Sequence, residues 1–110
     1  MSDMFDFGNG PAPAHQHANG GGWVADTAYV ADSVYVGPDA RIYDNARIYG
    51  DAVVYGNARI YGDARIYGDA RIYGDARVYG NAVVYGNAVV YGNARIYGDA
   101  VVYGNVRVSE

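Results

Sequence analysis

At 110 residues with a net charge of -4, the chain is one small domain, too short for a large ordinary core and too acidic for broad attraction to DNA or an anionic membrane. It has no cysteine, which excludes disulfide and thiolate-metal frameworks. It also lacks lysine and leucine: every basic residue is arginine and every large aliphatic is isoleucine or valine, a choice that suits pleated strands. No apolar run approaches the roughly 20 residues that span a bilayer, and no basic stretch precedes an apolar one at the amino terminus. The expected location is therefore cytoplasmic.

Residues 1–23 are glycine-rich, hold both histidines and show no periodicity. They are read as an irregular cap, with Phe5, Phe7 and Trp23 as plugs over whatever follows. From Val24 the pattern changes. An aliphatic residue recurs every six positions through Val30, Val36, Ile42 and Ile48 to Val108, and four residues after each stands a small one, Ala28, Val34, Ala40 and onward to Val106. Tyrosine follows the same interval from Tyr43 to Tyr103, while Tyr29 and Tyr35 occupy the slot just before an aliphatic residue. A period of six matches no helix, and glycine at every sixth position would cost a helix about 1 kcal/mol each time. A short strand instead points the small and the aliphatic residue inward, two apart on one face. Gly-Asp or Gly-Asn then turns the corner, because glycine accepts positive φ and the carboxamide or carboxylate bonds nearby backbone. Residues 109–110 form a short tail.

This frame over residues 24–108 resembles the hexapeptide-repeat family. The resemblance implies an all-β, single-stranded, left-handed parallel β-helix, a triangular prism of 18 residues per coil and four to five coils. At about 4.8 Å per coil the prism would be about 20 to 25 Å long. The segment Asn-Gly-Gly-Gly-Trp-Val, followed by Tyr-Gly-Asp/Asn-Ala units, looks like small hexapeptide-repeat proteins of phages and prophages. On that resemblance the chain would act in a host cytoplasm on a host component.

With three repeats per coil, residues eighteen apart form columns and the faces can be written down. The first carries Arg41, Arg59, Arg77 and Arg95 beside Tyr43, Tyr61, Tyr79 and Tyr97, all expected to face outward. This is the candidate ligand site, an anion-accepting surface. The competing reading is a self-satisfied lattice in which corner residues Asp39, Asn57, Asp75 and Asn93 partner the arginines and tyrosine rings lie under them by cation-π contact. Val83, Val101, Tyr85 and Tyr103 on the second face, with Val53 and Val89 on the third, are the candidate oligomer interface. A homo-oligomer is expected, trimer before dimer, as is common among hexapeptide-repeat proteins.

Enzymes of this fold, acyltransferases and a zinc carbonic anhydrase, rely on histidine, and the repeats contain none. His15 and His17, with Asp3 or Asp6, are the only metal-ligand candidates, and two ligands are too few to assign a metal. No catalytic residue and no cofactor is assigned. The expected function is a non-enzymatic binding protein that sequesters an anionic ligand, such as a nucleotide signal, or blocks a host defence protein. The alternatives are a structural or virion-assembly module and a reduced acyltransferase-like enzyme.

Overall fold

A computed structural model describes residues 3–8 and 10–109. Three strands open the chain: β1 (Asp3–Asp6), β2 (Pro11–Gln16) and β3 (Trp23–Ala25). Among the described residues, fourteen two-residue strands follow at six-residue intervals, from Tyr29–Val30 to Arg107–Val108. They pair in parallel with a register of eighteen: Arg41 lies beside Arg59, Arg59 beside Arg77, and Arg77 beside Arg95. The result is an all-β parallel solenoid with three faces, one sheet of seven strands and two of five.

The core follows from the period. From Val34 to Ala94 each small residue and the aliphatic two positions on, such as Ala40 with Ile42 or Ala64 with Ile66, point inward and are buried, while the end coils leave Val30, Val102 and Val108 half-buried and Val106 exposed. Isoleucines, valines and alanines of successive coils form one continuous cluster. Burying each large side chain contributes about 1.5 to 3 kcal/mol, and no coil could do so without its neighbours.

The corners are held mainly by backbone hydrogen bonds between coils. Around one corner Arg41 N–H donates to the Ala58 carbonyl at 3.0 Å, Tyr43 N–H to Ile60 at 3.0 Å and Asn45 N–H to Gly62 at 2.9 Å. Glycine is required here for two reasons. At Gly74 φ is +71°, and an added Cβ would lie 2.8 Å from the Gly92 nitrogen of the next coil. Asp44 is the exception, the one non-glycine with positive φ (61°) among the described residues. Its carboxylate accepts from Gly62 N–H at 3.2 Å, so the side chain that glycine elsewhere avoids becomes a partner. In the first coil, which lacks these glycines, Thr27 and Ser33 hydroxyls donate to the Asp44 and Gly50 carbonyls.

The amino-terminal segment departs from the irregular cap expected of its composition. β1 and β2 form an antiparallel hairpin, with Phe5 opposite Ala12, and β2 pairs antiparallel with β3, with Ala14 opposite Ala25. The physical reason is the open edge of the first coil, whose unpaired backbone groups β2 satisfies. These two extra strands lengthen the first sheet, and the longest dimension of the molecule is 39 Å.

Phe5, Phe7 and Trp23 are likewise not plugs over the coil. They lie on the outside of the first sheet, where Phe5 stacks on Trp23 and Phe7 on Tyr43. The end of the interior is closed by residues 17–22 instead. There His17 is buried and its Nε2 lies 2.7 Å from the Val34 carbonyl. Asn19 and Gly22 bond the backbone of Val36, each at 2.9 Å. A Cβ on Gly22 would lie 2.3 Å from a Val36 methyl, so the glycines let this segment lie flat on the core.

Candidate anion-binding face

On the first face the parallel register stacks identical residues. Tyr43, Tyr61 and Tyr79 lie nearly parallel, with ring centroids 4.8 and 4.9 Å apart and planes 6° and 2° from parallel. Tyr97 continues the column at 5.5 Å. The coil rise is close to the distance at which offset rings attract, so tyrosine stacks on tyrosine. The expectation that guanidinium groups lie over these rings does not hold, because the ring faces are already occupied. Among the described residues, the arginine that does lie over a ring is Arg41, 5.2 Å from the centroid of Phe5.

Burial along the column also differs from the expected outward row. Tyr43 is only 9 % exposed, packed with Phe7, Ala14 and Ala25 in a small cluster outside the main core. Its phenol is pushed above the ordinary range, first by burial and next by the neighbouring Tyr61, while Arg59 pulls the other way. Tyr61 and Tyr79 are half-buried and Tyr97 is exposed. The pattern that places Phe7 there was present in the chain. Phe5-x-Phe7 and Ala12-x-Ala14 alternate on either side of a Gly-Pro turn, a hairpin signal.

Arg59, Arg77 and Arg95 remain. With Asn57, Asp75 and Asn93 they line an open groove of about 310 Å³ that runs over three coils. The corner column does not neutralise them. Asn57 Nδ2 donates to Asp75 Oδ1 at 3.2 Å. Among the described residues, the one contact within 4.0 Å between basic and acidic side chains joins His15 to Asp26, so no arginine there is paired with a carboxylate.

Charge separates this face from the others. Along its solenoid strands it carries four arginines and two corner aspartates, Asp39 and Asp75, while Asp3 and Asp6 lie on the hairpin strand β1 at its end. The second face sets Arg47 and Arg65 against the corner residues Asp26, Asp44, Asp63 and Asp99, and the third sets Arg71 and Arg107 against Asp32, Asp51 and Asp69. A surplus of positive charge thus lies along the solenoid strands of one side of an acidic protein.

The remaining candidates fall as follows. Val83 and Val101 are side by side on the second face, and Tyr85 stacks on Tyr103 at 5.5 Å. Val101 and Tyr103 are more than half exposed. On the third face Arg71 stands between Val53 and Val89, so those two valines do not form one patch. The histidines point to different partners. His15 Nδ1 lies 2.8 Å from Asp26 Oδ1, whereas His17, past the end of β2, turns inward to Val34. Asp6 accepts from the N–H groups of Gly8 and Gly10 in the hairpin turn.

A stack of parallel coils with inward aliphatic and small residues defines a β-solenoid repeat protein. The YdcK beta-solenoid repeat model matches residues 40–56, 54–68, 58–73, 64–76, 70–86 and 94–110, together more than half of the chain, and the chain belongs to that family. No curated protein and no solved structure matches it.

Proposed function

We propose that this chain is a non-enzymatic binding protein whose first face holds an anionic ligand. The observation that carries the reading is the groove of Arg59, Arg77 and Arg95, which have no carboxylate within 4.0 Å among the described residues. Three guanidinium groups anchored on a rigid sheet have no ion pair to give up, so each can turn its donors to an anion, which repays the ordering of the side chains with charge-assisted hydrogen bonds. The unbroken six-residue frame supports a place among left-handed hexapeptide-repeat helices. The Gly-Gly-Trp-Val segment supports kinship with phage proteins. On that kinship the ligand is a host anion such as a nucleotide signal, met in the host cytoplasm.

A second reading, an oligomerisation or assembly module, is favoured by the exposed column of Val101 and Tyr103 beside Val83 and Tyr85. The two readings are compatible, since oligomer contacts on the second face leave the first face open. Thermal melting against a panel of cyclic and linear nucleotides tests the anion face. A ligand at 100 times its dissociation constant adds about 2.7 kcal/mol of stability and raises the melting temperature, and replacing Arg59 and Arg77 with glutamine removes the rise. Absence of a shift with every anion in the panel refutes the reading.

A further inference from the structure

We infer that the ligand of the first face is a linear phosphate chain of three or more phosphates laid along the solenoid axis, read by charge and not by any attached base. This rests on the anion-face reading and narrows it. Arg59, Arg77 and Arg95 are in register on adjacent strands, which sets them about 4.8 Å apart per coil, so the row spans about 10 Å. One compact anion would meet all three only if the outer two side chains bent toward the centre, whereas an extended anion meets them along the row. Backbone hydrogen bonds of 2.8 to 3.0 Å link these coils, from Asn57 N–H to Gly74 and from Arg59 N–H to Ala76, and the glycine corners touch, so the backbone of the row cannot contract around a smaller ligand.

The groove's chemistry selects within linear anions. Its lining residues are all polar, three arginines with two asparagines and Asp75, whose Oδ1 is already bonded by Asn57. Guanidinium forks match phosphate oxygens, and the amides of Asn57 and Asn93 add neutral donors. Successive phosphates in a P–O–P chain lie closer together than one coil spacing, so a chain of three with its terminal oxygens covers most of the row and the guanidinium ends lean in to meet it, while a longer chain covers the row outright. Proteins that hold single-stranded nucleic acid stack bases on open aromatic faces. Here Tyr61 and Tyr79 are closed against each other at 4.9 Å, which leaves no slot for a base between them. Such a chain is found both in inorganic polyphosphate and in the tail of a nucleoside triphosphate.

Isothermal titration at low ionic strength, using inorganic phosphate, pyrophosphate, tripolyphosphate, long-chain polyphosphate, AMP, ATP and adenosine, separates the outcomes. Affinity should rise at least about tenfold from phosphate to tripolyphosphate, one charge-assisted contact being worth that much, then level off per site once the row is spanned. ATP should match tripolyphosphate, AMP should match phosphate, and adenosine should not compete. Arg77→Gln should cost tripolyphosphate at least about tenfold, with near-ultraviolet circular dichroism unchanged because the side chain lies outside the core. Arg65→Gln on the second face should cost nothing. ATP far tighter than tripolyphosphate, or competition by adenosine, overturns the inference in favour of a base-reading site. Equal affinity for phosphate and tripolyphosphate overturns it and leaves the anion face standing. Failure of every anion removes both.

Discussion

Phe7 and Tyr43 stack with ring centroids 4.9 Å apart and planes 23° from parallel, so a residue of the amino-terminal hairpin begins the aromatic column that runs down the first face. The stack is possible because Ala25, in the coil above Tyr43, and Ala14 on β2 are small and leave room for the Phe7 ring. Phe5, two residues earlier on the same side of the strand, meets Trp23 and Arg41 in the neighbouring column. The hairpin is thus fastened by its own backbone pairing and by two rings.

Replacing Phe7 with alanine should loosen the hairpin without unfolding the solenoid. The loss expected for a buried phenylalanine is about 3 kcal/mol, confined to residues 3–16 because the coils below keep their contacts. Hydrogen exchange should show the amides of β1 and β2 speeding up while those near Ile66 keep their protection. Uniform acceleration through all coils would show that the hairpin nucleates or caps the whole stack.

Two glycines with nearly the same backbone separate conformational strain from crowding. Gly74 and Gly104 have φ of +71° and +70°, but a Cβ would strike the next coil only at Gly74, with nothing within 4 Å at Gly104. Gly104→Ala should cost about 1 to 2 kcal/mol, the penalty of an L-residue in the left-handed region. Gly74→Ala should cost at least twice that, since two coils must also move apart. Urea midpoints of the two variants check this, and equal losses would mean that coil contact plays no part in the choice of glycine.

The phenol of Tyr43 couples stability to alkaline pH. Its value is raised in the folded protein, first by burial and then by Tyr61, while in the unfolded chain it ionises near the ordinary value of about 10. The folded state therefore binds this proton more tightly. The stability it contributes is complete below about pH 10 and is lost as pH rises through the higher folded value. Tyr43→Phe should flatten the fall in the urea midpoint across that window. Spectrophotometric titration should show the wild-type protein losing one late-ionising phenol in the variant, and an unchanged titration would place the perturbed group elsewhere.

The period of six from Val24 to Val108 determined the solenoid, its register and the membership of each column. A residue's neighbour across the strands is simply the one eighteen positions away, so Arg59 beside Arg77 was legible from arithmetic once a coil was taken as three repeats. The inward pair of small and aliphatic residues was legible for the same reason, because side-chain direction alternates along a strand. What columns do to one another was not legible. Tyrosine stacks on tyrosine rather than under arginine because the coil rise matches the stacking distance, and that competition exists only when the coils are superposed. The amino-terminal segment has no period to read, and its hairpin is set by an open strand edge that only the folded first coil presents. The arginines of the first face were named by the sequence. Tertiary structure decided that they stand unpaired among the described residues, because corner amides and carboxylates bond each other along the axis instead of reaching across the groove.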